Sequence, residues 1–370
     1  MRGKCRPVPG CVNYSAFETQ IAPERSLRGV QSRWRDGLPR RPGGFGILWL
    51  LLGALFLIGC APAPPPHPRV DGLGAGFSER LARAHLDALA GLGPRWPDSR
   101  ADVVARAYLE REFRLAGART TVWRDGVRRH PVATLAGESS DRILLVAAYP
   151  VLEADGWIDD SGVALLLELA RVFGRQSPPY TLEFALAEIR PPSSAQGPGA
   201  EAARREASDR VWEPVRSFSG ARHQVRAGGR SLARAAEDRG PIGRFRAVIA
   251  FDWTAHAGLR IARDLRSQPV FRQIFWDAAA DLGQTAVFPS DGRWASPESL
   301  HLGFRERSMD RVLALVDEAA AGANPAVVRP PVTISNRVLE AMGGVTIEAL
   351  NRLMRRFQKV DAFSNGAEGI

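Results

Sequence analysis

Downstream of position 60 the chain contains no cysteine; the three it has are Cys5, Cys11 and Cys60. That excludes an internal disulfide in everything that follows, and leaves no thiol there to misoxidise outside the cytosol. Histidine is scarce too, six in 370 residues, and none follows His301. A basic block is also lacking. Residues 1–59 carry nine Lys or Arg against three Asp or Glu, so only +4 of the formal +10 is left for the rest of the chain, where it is dispersed. A nucleic-acid partner has no electrostatic basis here. No internal repeat is visible. Hydrophobic and charged contents of 45% and 24% are those of an ordinary globular chain, long enough for one large domain or two smaller ones.

The one long apolar run, FGILWLLLGALFLIGC (45–60), follows Arg33, Arg35, Arg40 and Arg41. It falls short of the roughly 20 apolar residues that span a bilayer and fits a signal-peptide core. Its end, Leu57-Ile58-Gly59-Cys60, resembles a bacterial lipobox. That resemblance implies cleavage before Cys60 and lipid attachment to it, with more than one acyl chain giving stable anchorage. Ala61 resembles the residue that follows the lipidated cysteine in outer-membrane lipoproteins. The expected location is therefore the cell envelope, on the outer membrane facing the periplasm of a Gram-negative bacterium. The Pro- and Gly-rich APAPPPHPRVDGLGAG (61–76) reads as an extended tether. Residues 1 to about 30 do not resemble the start of a signal peptide, and Val30 or Leu38 is the expected true start. The expected partition is a signal region over 1–59, a tether over 60–76 and one domain over 77–365.

From residue 77 helical and strand patterns alternate, the mark of a layered α/β fold. Ser78 and Ser99 are N-cap candidates for ERLARAHLDALAGLG and RADVVARAYLEREFRLAGA, with Val104, Tyr108 and Leu115 near one face of the second. Strands are expected at TTVWRDG, PVATLAG, RILLVAAY, YTLEFALAE, FRAVIAFDW and RVLALVDE. RILLVAAY is continuously apolar, as a buried central strand should be. Helices are expected at SGVALLLELARVF, at QPVFRQIFWDAAADLG and over about 335–358, where Met342, Val345, Leu350, Leu353 and Phe357 form a core stripe. Residues 189–240 read as loops with one helix near 200–213.

RILLVAAY followed by SGVALLLELARVF, with TLEFALAE, RAVIAFDW and SLHLGF, resembles the co-catalytic zinc aminopeptidases and the related glutaminyl cyclases, metallopeptidase family twenty-eight of clan MH. The similarity runs from about Leu86 to Phe363. It implies a three-layer α/β fold whose mixed, mostly parallel eight-stranded sheet carries helices on both faces. The metals sit beyond the C-terminal ends of the central strands. It also implies one or two zinc ions on five His and carboxylate ligands, and a glutamate that moves a proton.

Most of those positions are changed here. Ala148 and Pro150 stand where the resemblance implies His and Asp. Ile158 stands at the bridging Asp, with Asp159 one residue away and Asp160 two; Asp159, Asp160 and Ser161 read better as the capped start of a helix. Glu188 occupies the place of an Asp, and Arg190 and Pro191 replace the base and a further ligand. Asp252 matches a ligand, and His301 matches a pocket-framing histidine although Ser299-Leu300 replace an acidic pair before it. The final ligand His has no counterpart in AGANPAVVRPPVTIS (321–335).

The expectation is a kept fold with lost chemistry and no cofactor. No catalytic residue is assigned. Glu188 and His301 are vestigial catalytic candidates; Asp252 and the doubtful Asp159 are vestigial metal candidates. The expected partners are the membrane, through Cys60, and a peptide or envelope protein in the old cleft, where Arg190 would favour an anionic group. An alternative is an active peptidase or glutaminyl cyclase with a rearranged site drawn from Asp155, Asp159, Glu188, Asp252 and His301, with Glu153. In a third reading Trp157 and Trp253 plug the cleft of a purely structural protein.

Overall fold

A computed structural model describes residues 63–69, 76–93, 95–149, 160–190, 218–252, 254–293, 299–317 and 333–367. The signal region, Cys60, Glu153, Asp155, Trp157, Asp159 and Trp253 lie outside them, as does the helix expected near 200–213. Among the described residues no helix is long and apolar enough to cross a membrane.

The order is α1 (Glu79–Ala90), α2 (Arg100–Leu115), β1 (Arg119–Asp125), β2 (Arg128–Leu135), β3 (Ser139–Tyr149), α3 (Ser161–Gly174) and β4 (Tyr180–Glu188). Then come α4 (Phe218–Glu237), β5 (Phe245–Asp252), β6 (Arg263–Asp264), α5 (Pro269–Asp281), β7 (Gly292–Arg293), α6 (Leu300–Arg305), β8 (Val312–Val316) and α7 (Asn336–Ala367). The principal sheet runs β1-β2-β4-β3-β5-β8. Its first three strands pair antiparallel, and β4, β3, β5 and β8 pair parallel. The sheet is mixed and mostly parallel as expected, but six strands form it among the described residues rather than eight. The two-residue β6 and β7 pair only with each other.

The pleat divides the core. Ile143, Leu145, Ala147 and Tyr149 of β3 join the larger cluster with α1, α2, α3, α5 and α7. Leu144, Val146 and Ala148, pointing the other way, join α4 and α6. From Ser161 to Ala170 every residue of α3 is buried, so it is the central helix. Each of its leucines contributes roughly 1.5–3 kcal/mol by leaving water. A Cβ at Gly162 would stand 2.9 Å from that of Ala147, so glycine is what lets α3 start against the end of β3.

Caps form where serine predicts them. Ser78 Oγ accepts from Leu81 N at 3.3 Å, and Ser99 Oγ from Asp102 N at 3.1 Å. Met342, Val345, Leu350 and Leu353 of α7 are fully buried as predicted, and Phe357 packs at the edge of the same core. Leu115 departs from its expected face. It is the last residue of α2 and is 62% exposed.

Candidate functional site

The parallel strands end together, and the polar side chains at their C-terminal edge define the candidate site. Glu188 closes β4 with a fully buried carboxylate. Its Oε1 lies 3.1 Å from Arg106 Nη2 and 3.0 Å from Arg190 Nη2, while Oε2 accepts the backbone N–H of Arg129. Arg106 comes from α2 and spans back to Asp102, one helical turn earlier, with Nε 3.0 Å from each carboxylate oxygen. Asp102 also accepts the Tyr149 hydroxyl at 3.0 Å and the Asp98 N–H at 3.0 Å. The Tyr149 ring lies between Arg95 and Arg106, 5.9 and 5.3 Å from their guanidinium carbons. Burial, with Asp102 beside it, holds the Tyr149 hydroxyl far above the usual phenol range.

A second pair sits deeper. Asp160 precedes α3 at the N-cap position, yet its side chain makes no capping bond. The capping role expected of it is corrected. Arg95, fully buried, reaches it instead, with Nη2 2.6 and 2.5 Å from its two oxygens and Nη1 2.6 Å from the Leu89 carbonyl. Burial raises the proton affinity of Asp160, and Arg95 opposes that shift. A desolvated guanidinium is a stronger competitor for this carboxylate than a helix terminus that other groups can satisfy.

Beneath Glu188 lies His130. Its Nδ1 accepts the Glu188 backbone N–H at 2.9 Å, which leaves Nε2 protonated toward Ser231 Oγ at 3.0 Å. Burial, and then the charge of Arg128, push His130 down to about 3, so the imidazole is neutral at physiological pH.

The other sequence candidates lie elsewhere on the edge. Asp252 ends β5 almost buried, and its carbonyl accepts from Asp317 N at 3.3 Å. Asp317, directly after β8, has Oδ2 3.3 Å from His256 Nε2, a pairing the sequence reading did not anticipate. His301, on α6, is wholly buried. Its Nδ1 lies 3.0 Å from Ser299 Oγ, and Nε2 is 3.2 Å from Asp264 Oδ2 but off the hydrogen-bond direction. Asp264 accepts from Ser267 Oγ at 2.9 Å, and Ser267 Oγ from Ala314 N at 2.9 Å. His301 thus belongs to a buried polar chain that ties α6 to β8.

Ala148 is buried in the apolar cluster on the α4 side. Arg190, expected to await an anion, is bound to Glu188 and lies 3.3 Å from Asp98. A cleft of about 420 Å³ does open elsewhere, at the junction of α4 and α6, lined by Arg226, Arg266, Leu302, Arg305 and Glu306. None of Glu188, Asp252 and His301 lines it.

Among the described residues no three His, Cys, Asp or Glu side chains are placed to hold a metal ion. The chemistry of the donors agrees. Asp102, Asp160 and Glu188 are each occupied by guanidinium, whose fixed charge opposes a divalent cation. Among the described residues, the arginine-held carboxylates at this edge therefore do not fit the zinc that the resemblance implies. Sequence reasoning missed Arg95, Asp102 and Arg106. The i,i+4 spacing of Asp102 and Arg106 was the one local signal available.

No family model and no curated protein matches this chain. Solved structures do. A glutaminyl cyclase from Porphyromonas gingivalis superposes with a TM-score of 0.56 at 18% identity, over 75% of this chain and 98% of that one. A Zn-dependent exopeptidase from Parabacteroides distasonis gives 0.55 at 19%, over 74% and 97%. A leucine aminopeptidase precursor from Bacteroides thetaiotaomicron gives 0.55 at 16%, over 74% and 97%. At these identities the likeness is one of fold, and the chain has the α/β fold of zinc exopeptidases and glutaminyl cyclases.

Proposed function

We propose that this chain is a membrane-anchored, non-catalytic protein built on the exopeptidase and cyclase fold, with a binding or scaffold role in the cell envelope. The observation that carries the reading is the occupation of the strand-end carboxylates by arginine. Glu188, the vestigial catalytic carboxylate, is held by Arg106 and Arg190, and Asp160 by Arg95. A general base must be within reach of a substrate proton, and both oxygens of Glu188 are already engaged. The lipobox ending in Cys60 supports the envelope location.

Zinc titration of the purified chain by calorimetry, beside aminopeptidase and glutaminyl-cyclase assays with added zinc, tests the reading. The expected result is no stoichiometric uptake and no turnover above buffer. Uptake of about one equivalent that disappears in Asp252→Ala, or turnover lost in Glu188→Gln, would overturn it and favour the rearranged-site alternative.

A further inference from the structure

The stretch after Cys60 reads as a free tether, yet part of it is seated on the domain. The Pro65 carbonyl accepts from Arg111 Nη2, and His67 Nδ1 lies 2.6 Å from Glu112 Oε2. Arg111 also holds Glu112 Oε1, with Nη2 at 2.7 Å and Nε at 2.9 Å, and lies over the Tyr108 ring at 5.1 Å. The Glu112 side chain is 3% exposed. A carboxylate so desolvated depends on its partners, and His67 is one of them. Pro64, Pro65, Pro66 and Pro68 keep the segment extended before it docks, which lowers the entropy cost of holding it there. A second fastening follows, where Arg171 Nη2 donates to the Gly76 carbonyl at 2.6 Å and Glu168 Oε1 accepts the Ser78 N–H at 2.7 Å.

We propose that residues 63–69 are a strap clasped to α2, and that the strap turns the α2 face of the domain toward the bilayer entered by the lipid on Cys60. The second half rests on the lipid-anchor reading above. Only residues 61–64 lie between Cys60 and Pro65, a span of no more than about 18 Å when extended. A free tether to residue 76 would reach about 50 Å. The solvent side of α2 offers a headgroup layer Arg100 and Val103, the latter 59% exposed, while Arg114 is paired with Glu110 one turn before it and Leu115, at the helix end, is 62% exposed. The basic helix α4 packs on the opposite face of the sheet.

Two measurements separate the two halves. The lipidated chain, in vesicles of phosphatidylethanolamine and phosphatidylglycerol, carries a donor dye at Val103→Cys or Arg234→Cys, with acceptor dye in the lipid. Transfer is expected to be severalfold greater from position 103, and the contrast to collapse in His67→Ala. Equal transfer from the two positions in the otherwise unchanged chain overturns the orientation. Failure of Cys60→Ala to release the chain from the vesicles overturns the anchor reading, and the orientation with it.

Spin labels at Ala63→Cys and Arg114→Cys, in the full chain with Cys5, Cys11 and Cys60 replaced by alanine, test the strap without lipid. A narrow distance distribution that broadens in His67→Ala and in Glu112→Gln is expected. A broad distribution in the absence of those changes overturns the strap itself.

Discussion

Arg95 is the residue whose environment departs furthest from what its chemistry prefers. A fully buried guanidinium survives only if its charge is matched, and here Asp160 matches it while the Leu89 carbonyl takes a second nitrogen. Its Nε makes no hydrogen bond, so the site is strained in polar terms even when intact. Truncation to Arg95→Met leaves the Asp160 charge uncompensated, at a cost of about 3–5 kcal/mol. The double variant Arg95→Met/Asp160→Leu removes both charges and should recover most of that loss. Urea denaturation of the two variants decides the matter. Equal destabilisation would mean that packing, not charge matching, is what the arginine supplies. The same logic explains why this site was closed to sequence reasoning. Arg95 and Asp160 stand 65 positions apart, and Arg106 and Glu188 82. Ala148 and Arg190 could be seen as departures from the zinc site that the resemblance implies, but which groups hold Asp160 and Glu188 depends on contacts that only the fold creates.

At the scale of the element, β3, β4 and β5 were legible because a strand buried on both faces is apolar along most of its length, its polar residues being few and mostly near the ends. RILLVAAY, TLEFALAE and FRAVIAFD satisfy that locally. Helix α4 was not legible. It lies within the stretch read as loops, and Gly228-Gly229 in its middle is a local argument against a helix. The tertiary reason for the glycines is close packing. A Cβ on Gly229 would strike the Leu300 carbonyl of α6, and one on Gly303 would strike the backbone of α4 at Arg226 and Arg230. The two helices meet backbone to backbone, where small residues are required and intrinsic propensity is overridden. Gly303→Ala should therefore destabilise by roughly 1–3 kcal/mol through overpacking, although alanine is the better helix former. Gly344→Ala, with nothing within 4 Å of its new Cβ on α7, should be neutral or stabilising by up to about 1 kcal/mol. Thermal denaturation of the pair compares them, and equal shifts would remove the close-crossing explanation.

For the whole molecule, the pH dependence of stability sums buried groups that pull in opposite directions. Burial is the main cause of His85 lying down at about 3, with His67 and Arg111 adding to it, and burial likewise places His130 at about 3. Between about 6.5 and 3 the unfolded chain binds two protons that the folded chain refuses, so their stabilisation is lost as pH falls. Each contributes a slope of up to about 1.4 kcal/mol per pH unit. Glu183 works against them. It is buried in β4 with Oε2 unbonded and Arg142 3.4 Å from Oε1, and burial pushes its carboxyl up to about 7. The folded chain therefore holds a proton on Glu183 that the unfolded chain has released, and this stabilisation is lost as pH rises from about 4.5 through 7. Between pH 4.5 and 6.5 the two histidines outweigh the one glutamate, which leaves a net rise of about 1.4 kcal/mol per unit from these three groups. Below 4.5 Glu183 stops compensating and the acid limb steepens. The carboxyls of Glu306, held down by Arg230 and Arg226, and of Asp361, held down by Tyr180 and Arg246, add to it there. Glu183→Gln should accordingly about double the slope between pH 5 and 6.5 without moving the slope below pH 4. Denaturation midpoints collected across pH 4–7.5 measure both limbs. If the slopes of this variant and the unchanged chain coincide through pH 5–6.5, Glu183 is not the proton acceptor that opposes His85 and His130.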